Sequence, residues 1–406
     1  MAAEPNRARL WPAPVILALG AIAFLIVRAR KEWPYEQARI LAMLGVFVSV
    51  VLLLLVWWMF FSRVRWRARF IGLAFAMLPL ALFRHRGMTG DFIPIFEFRF
   101  AQKPRPLAAP AAGTTATAGA DFPQLFGPTR DCRLEGPALD PDWKNRPPQV
   151  IWRQPVGAAW SGFAIAGGRG VTMEQHGSEE WVTCYDLATG KFLWKSGNPG
   201  RYDTAIAGEG PRATPTISDG RVFTLGATGT LRCIDLDSGK ERWSRDIAAD
   251  SGAKIPDFGF ASSPLIHADT VIVSAGGTAG KSLLAYGLED GKPVWTAGSR
   301  PVNYSSPFLL TLAGRQQIVM FNSEAITAHD PATGAVLWEH AWGKGMPHVS
   351  RPIPTGDRRI LFSSGYGVGS ALVELTSGVD GTLTTNEVWK TIRFQAKFSN
   401  PVEKDG

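Results

Sequence analysis

The side chains here that could do more than pack are three cysteines, six histidines and an aspartate that returns at a fixed spacing. Cys132, Cys184 and Cys233 form no C-x-x-C, no C-x-x-C-H and no adjacent pair. They spell out no zinc site, haem attachment or disulfide framework. His85, His176, His267, His329, His340 and His348 show none of the spacings that bring two imidazoles to one metal. The run GGTAG, Gly276 to Gly280, ends without Lys-Ser or Lys-Thr and precedes no helical pattern, so it reads as a hairpin, not a phosphate loop. No nucleophile–base constellation stands out, and no catalytic or metal-binding residue is assigned.

The aspartate belongs to a repeat. YDLATGKFLW, IDLDSGKERW, YGLEDGKPVW and HDPATGAVLW align without gaps. Each has Gly four residues before Trp: Gly190 and Trp194, Gly239 and Trp243, Gly291 and Trp295, Gly334 and Trp338. Asp186, Asp235 and Asp330 precede their glycines by four, and Gly287 replaces Asp in the third copy. A small residue (Cys184, Cys233, Ala285, Ala328) comes two positions earlier, and a looser copy ends at Trp389. The Trp-to-Trp intervals are 49, 52, 43 and 51. That period, with short Val/Ile/Phe-rich runs, predicts an all-β propeller of four-stranded blades. The motif is then the hairpin joining a blade's two outer strands. Asp caps the turn, Gly supplies a positive φ, and Trp packs between blades. Cys184 and Cys233 are explained by packing and are expected to be buried and unbonded. The four full-copy tryptophans are expected in equivalent inter-blade sites. Ahead of each copy stands a Ser, Thr or Arg before proline: Thr214–Pro215, Ser263–Pro264, Ser306–Pro307 and Arg351–Pro352. Proline opening an edge strand loses no ladder hydrogen bond, so each pair marks an innermost strand.

What precedes the propeller is different in kind. The first 105 residues carry 15 Lys/Arg against 5 Asp/Glu; the other 301 carry 28 against 30. The propeller therefore has no charge surplus to attract nucleic acid. Apolar segments at about 11–27, 40–61 and 70–83 predict two to three transmembrane helices within an anchor spanning 1–100. RVRWRAR, Arg63 to Arg69, reads as a cytoplasmic loop, and Arg28, Arg30 and Lys31 on the other side weigh against it. An Ala/Pro/Thr-rich linker is expected at 101–120, and the propeller at 121–406.

CYDLATGKFLW, repeated, resembles the tryptophan-docking repeat of quinoprotein (PQQ-repeat) β-propellers. DFPQLFGPTRDC and PQVIWRQPVG look like the opening of many bacterial propellers of this type. That superfamily contains PQQ-dependent alcohol dehydrogenases and the non-enzymatic propeller lipoprotein of the outer-membrane assembly machinery. Its enzymes hold the quinone over the central channel beside calcium or another metal, often with two adjacent cysteines, and no such pair is present here. The resemblance implies two readings. The first is a membrane-anchored, non-catalytic binding or scaffolding module with an unnamed protein partner, on the periplasmic side of a bacterial inner membrane. The second is a PQQ- and calcium-dependent dehydrogenase of alcohols or sugars. Arg212, Arg351 and Lys397, near one channel mouth on different blades, are the candidate cations for a cofactor or another anion, though solvated rim residues are the simpler account. NPVEKDG, Asn400 to Gly406, matches the inner-strand start TPTISDG. Five blades and two partial ones are read where such propellers have seven or eight, so an incomplete C-terminus and an open arc are expected.

Overall fold

The computed structural model describes residues 9–30, 33, 36–88, 93–101, 120–134, 139–204, 206–277, 279–343 and 345–403. The expected linker lies outside them except for its two end residues. The chain divides into two compact units, Met1–Pro104 and Arg105–Gly406.

In the first unit, helices Pro12–Ala29 and Ala38–Phe61 are long and apolar enough to cross a membrane. Their Leu, Ile, Val and Phe side chains are largely exposed, and their backbone groups bond internally, as lipid requires. The two pack closely at Gly20, where a Cβ would run into Val50. The second ends in a π-turn, Trp57–Phe61. The turn after it is tied by Arg69, which donates to the carbonyls of Val64 and Met59 at 2.8 and 2.7 Å. The third apolar segment forms a helix of 17 residues, Trp66–Leu82, with Pro79 inside it. A hairpin of Phe83–Met88 with Pro94–Phe98 follows, which the hydropathy pattern did not suggest.

In the second unit the described residues form five four-stranded antiparallel sheets. Blade 1 comprises Ala164–Ala166, Arg169–His176, Glu179–Asp186 and Phe192–Pro199; blade 2 comprises Thr216–Ser218, Arg221–Leu225, Thr230–Asp235 and Glu241–Asp246. Blade 3 comprises Leu265–His267, Thr270–Gly277, Lys281–Gly287 and Pro293–Ala297; blade 4 comprises Phe308–Leu312, Arg315–Phe321, Ala325–His329 and Val336–Ala341. Blade 5 comprises Ile353–Pro354, Arg359–Ser364, Gly369–Ser377 and Leu383–Thr391. Strands pair in chain order, and the first strands of blades 1, 2 and 3 adjoin one another, which makes them the inner strands of a propeller. Middle strands are buried on both faces, and outer strands such as Glu241–Asp246 expose alternate residues.

The repeat builds the blade-to-blade contacts. Asp186, Asp235 and Asp330 each accept from the backbone N–H three residues on, closing the outer hairpin. Gly190, Gly239, Gly291 and Gly334 take φ of 66 to 75°. Each lies beneath the tryptophan ring of the preceding copy: Trp152 over Gly190, Trp194 over Gly239, Trp243 over Gly291 and Trp295 over Gly334. In three of the four the indole N–H then donates to the carbonyl three residues before that glycine: Trp152 to Leu187, Trp194 to Leu236 and Trp243 to Leu288, at 2.7 to 2.9 Å, whereas the Trp295 N–H is buried without a partner. Trp152 thus behaves as an outermost-strand tryptophan, as its sequence context suggests. Cys184, Cys233, Ala285 and Ala328 stand opposite the tryptophan of their own blade across the outer strand pair, each followed by a bulge. The small residue therefore shares the tryptophan's face, and Cys184 and Cys233 pack among apolar side chains of the next blade. Cys184 and Cys233 are buried and free, and burial pushes both thiols up to about 11.

Trp338 departs from the pattern. It is buried against blade 5, but its indole N–H donates to Gln317 of its own blade at 2.6 Å. The outer turn of blade 5, Gly378 to Thr382, places no glycine under its ring. Leu372 replaces the small residue opposite Trp389, which remains 41% exposed.

A methyl group at Gly239 would fall 2.7 Å from the Trp194 ring, at a φ of 70°. Gly239→Ala should lower the stability of the full chain in detergent by about 2 kcal/mol or more, from left-handed strain plus displaced packing. Urea unfolding followed by tryptophan fluorescence reads this directly, and an unchanged midpoint would contradict the docking role.

Candidate functional site

The inner strands leave two things unsatisfied: an unpaired backbone edge facing the channel, and the N–H groups at their starts. The start of each strand is satisfied by its neighbour. The Thr214 N–H donates to Ser263 Oγ and the Ser263 N–H to Ser306 Oγ, both at 2.9 Å. The Arg351 N–H donates to Asn400 Oδ1 at 2.8 Å. Ser263, Ser306 and Asn400, each before a proline, thus lend a side-chain oxygen to the blade before it. These bonds, together with Ser161 Oγ to the Ala213 carbonyl and Ser305 Oγ to the Ser350 carbonyl, run around the hub. The pre-proline Ser and Thr do more than avoid a lost ladder bond. The series lacks its hydroxyl at Arg351.

The strand edges are met by the segment Asp121 to Arg133, which sequence reasoning noticed only as a family-like opening. Phe122 and Ile165 exchange two backbone hydrogen bonds of 2.8 Å, and the Ile217 N–H donates to the Pro123 carbonyl at 2.7 Å. Phe126 stacks on Phe308 of blade 4, with ring centres 6.2 Å apart and planes 9° from parallel. Arg130 donates to the carbonyls of Pro264 and Ser263 at 2.8 and 3.3 Å, and to Gln124 at 3.2 Å. Arg133 donates to the Glu403 carbonyl at 2.8 Å. Asp121 binds the Gly167 N–H at the far-end hairpin of blade 1, whereas Arg130 reaches residues that open the inner strand of blade 3. The segment therefore runs up the channel as a plug.

Its compact course needs left-handed backbone at Phe126, Gly127, Arg130 and Cys132, with φ of 63, 90, 56 and 66°. Each non-glycine residue held there costs roughly 1 to 2 kcal/mol, which the contacts must outweigh. Burial pushes the Arg130 guanidinium down to about 9. Partial burial raises the Asp131 carboxyl, but the Thr129 hydroxyl, the Arg133 amide and the charges of Arg133 and Arg351 outweigh it and hold it low. Burial raises the exposed-side Cys132 thiol, against the pull of Arg351, which lies within its hydrogen-bonding reach.

The mouth above the hub is built by loops between blades. The Tyr202 hydroxyl donates to the Asp257 carbonyl, Phe258 meets Tyr304 edge-on at 5.2 Å, and the Tyr304 N–H donates to the His348 carbonyl at 3.2 Å. Arg212 lies 4.7 Å over Tyr202 and spends its donors on the carbonyls of Ala207, Gly208 and Gly210 in its own loop. Lys397 lies 4.6 Å over Tyr366 and packs against Gly365. Arg351 is 4% exposed and lies beside the plug. Arg212 and Lys397 thus each lie over a tyrosine of the mouth, and Arg351 lies by Cys132 of the plug. Arg130, which carried no repeat signature to mark it, reaches the opening of blade 3's inner strand from the plug.

Phe126 and Arg130 lie against the inner-strand starts of blades 4 and 3, and the mouth loops bond across one another. Among the described residues no group of three or more His, Cys, Asp or Glu side chains could hold a metal. A cleft of about 250 Å³ lies between Trp152, Phe163, Tyr185 and Leu187 beside blade 1.

Replacing Arg130 with Met leaves the Ser263 and Pro264 carbonyls without their donor. We expect a loss of roughly 1 to 3 kcal/mol and new proteolytic cleavage within 121–134. Limited trypsin and chymotrypsin digestion with mass mapping tests this; a cleavage pattern matching wild type would contradict the pinning role.

The family model described as outer membrane protein assembly factor BamB matches residues 178–402, and the chain belongs to that PQQ-repeat family. A tetrathionate hydrolase from Acidithiobacillus ferrooxidans is 28% identical over 237 residues, covering 53% of this chain and 43% of that protein. The chain thus spans less than half the length of this curated relative. Among solved structures, BamB from Moraxella catarrhalis aligns with TM-score 0.42 and 17% identity, over 58% of this chain and 65% of that one. A europium-containing methanol dehydrogenase aligns with TM-score 0.39 and 14% identity, over 62% and 55%.

Proposed function

We propose that this BamB-family propeller is a membrane-anchored, non-catalytic binding or scaffolding module, held on the periplasmic side of a bacterial inner membrane by its N-terminal helices. The observation that carries the reading is the plugged hub. The space over which a quinoprotein enzyme would hold its cofactor is taken by the chain's own Phe126 and Arg130, bonded to inner strands of different blades. Two apolar helices support anchoring, and the near-neutral charge of the propeller favours a protein partner over nucleic acid.

The similarity to a tetrathionate hydrolase favours a second reading, in which the chain acts on a polythionate. One experiment addresses both. The full chain in detergent is incubated with PQQ and calcium, and dye reduction is followed with alcohols and sugars; tetrathionate consumption is followed in parallel. The scaffold reading expects neither above background, together with stoichiometric co-purification of a membrane or envelope protein after cross-linking in native membranes. Turnover lost on omitting PQQ, or tetrathionate consumption, would overturn the non-catalytic assignment.

A further inference from the structure

The hairpin that follows the third apolar helix sorts its side chains by face. Phe83 pairs with Phe98, Arg84 with Glu97 and His85 with Phe96. Alternation along each strand puts Phe83, His85, Phe96 and Phe98 on one side and Arg84 and Glu97 on the other. The rings on the first side meet edge-on. Phe83 and Phe98 have centres 5.7 Å apart, His85 and Phe96 5.9 Å, and Phe100 extends the row 5.7 Å from Phe98. On the second side Arg84 and Glu97 form an ion pair of 2.6 Å. The aromatic side is open: Phe96 is 60% and Phe100 70% exposed, and Phe83 and Phe98 are exposed as well. A row of exposed aromatic rings backed by charge marks a surface made to meet something apolar.

The hairpin is fixed to the end of a helix that is itself uncovered. Trp66–Leu82 is apolar and has no buried residue. The Arg99 N–H donates to the Leu82 carbonyl at 2.8 Å, and its guanidinium donates to the carbonyls of Phe83 and Leu80 at 3.4 Å. A cation thus closes the helix C-terminus and holds the hairpin against it. The helix has 17 residues, about 25 Å, somewhat less than the roughly 30 Å of a hydrocarbon core. The aromatic row begins where the helix runs out. Aromatic rings are favoured at that level, among lipid carbonyls and headgroups. The two-stranded sheet has unpaired outer edges, whose N–H and C=O groups need water, so it is suited to the interface and not to the core.

We propose that the aromatic face of this hairpin, Phe83, Phe96, Phe98 and Phe100, lies in the interface of a phospholipid bilayer, with Arg84 and Glu97 turned to water. The hairpin is then a third kind of membrane contact beside the two long apolar helices, and it fixes the level at which the chain leaves the lipid. This rests on the reading that the N-terminal helices enter a bilayer, and it adds a β-element to that anchor.

The test uses the full chain reconstituted in vesicles of phosphatidylethanolamine and phosphatidylglycerol. A Cys132→Ser background leaves only Cys184 and Cys233, which are buried. Phe96→Cys, Phe98→Cys, Arg84→Cys and, in the second long helix, Leu53→Cys each carry a nitroxide label. Collision with oxygen, which partitions into lipid, is compared with collision with a water-soluble nickel chelate. The labels replacing Phe96 and Phe98 should favour oxygen several-fold more than the label replacing Arg84, and the label replacing Leu53 more strongly still. If the Phe96 and Phe98 positions are as open to nickel as the Arg84 position, or closed to both reagents because protein covers them, the proposal is overturned, while oxygen contact at Leu53 leaves the anchor standing. Nickel contact at Leu53 overturns the anchoring reading, and the hairpin proposal with it. Should Phe96→Cys and Phe98→Cys fail to fold, Phe100→Cys, beyond the paired strands, decides: preference for oxygen supports the proposal, and preference for nickel refutes it.

Discussion

A four-stranded blade cannot satisfy itself: both of its faces are apolar, and its inner strand has an unpaired edge. The faces are covered by neighbours, through an indole laid over a glycine that has no Cβ to obstruct it. The inner edge has no neighbour within the blade. Here it is met by a segment from outside the repeats, which bonds to Ile165, Ile217, Ser263 and Pro264 in turn. The hydroxyl ring, the strained backbone from Phe126 to Cys132 and the buried arginines all follow from closing that edge.

The blades were legible because each repeats the same local chemistry at the same spacing. Asp caps, Gly turns and Trp docks within ten residues, so the pattern survives without knowledge of the fold. Its meaning was less complete. The small residue at Cys184 and its counterparts faces a tryptophan across one strand pair, a relation visible only once the bulged register is known. Trp338 matches the motif yet donates within its own blade, because its partner blade lacks the glycine platform. The hairpin after Leu82 was hidden by a hydropathy pattern that reports apolarity and not pairing.

The plug was the least legible part. Nothing in FPQLFGPTR has helical or strand period, and its key contacts join residues more than 130 positions apart. Arg351 was visible as a cation before a proline; its departure from a hydroxyl ring was not, since the ring exists only when successive blades are set side by side. Arg212 and Lys397 looked equivalent to it in sequence, and they differ because the loop carbonyls of Ala207, Gly208 and Gly210 and the ring of Tyr366 were within reach.

On the proposed reading, the outer surfaces and the N-terminal helices are the parts left to meet other molecules. That account stands on the plug being as firmly held as the blades it joins. Hydrogen–deuterium exchange of the full chain in detergent measures this most directly. The account predicts that the amides of Phe122, Ile165 and Ile217 exchange as slowly as those of the middle strands, such as Val222 and Val273, and lose that protection together. Exchange of these three within seconds, while the middle strands stay protected, would contradict it.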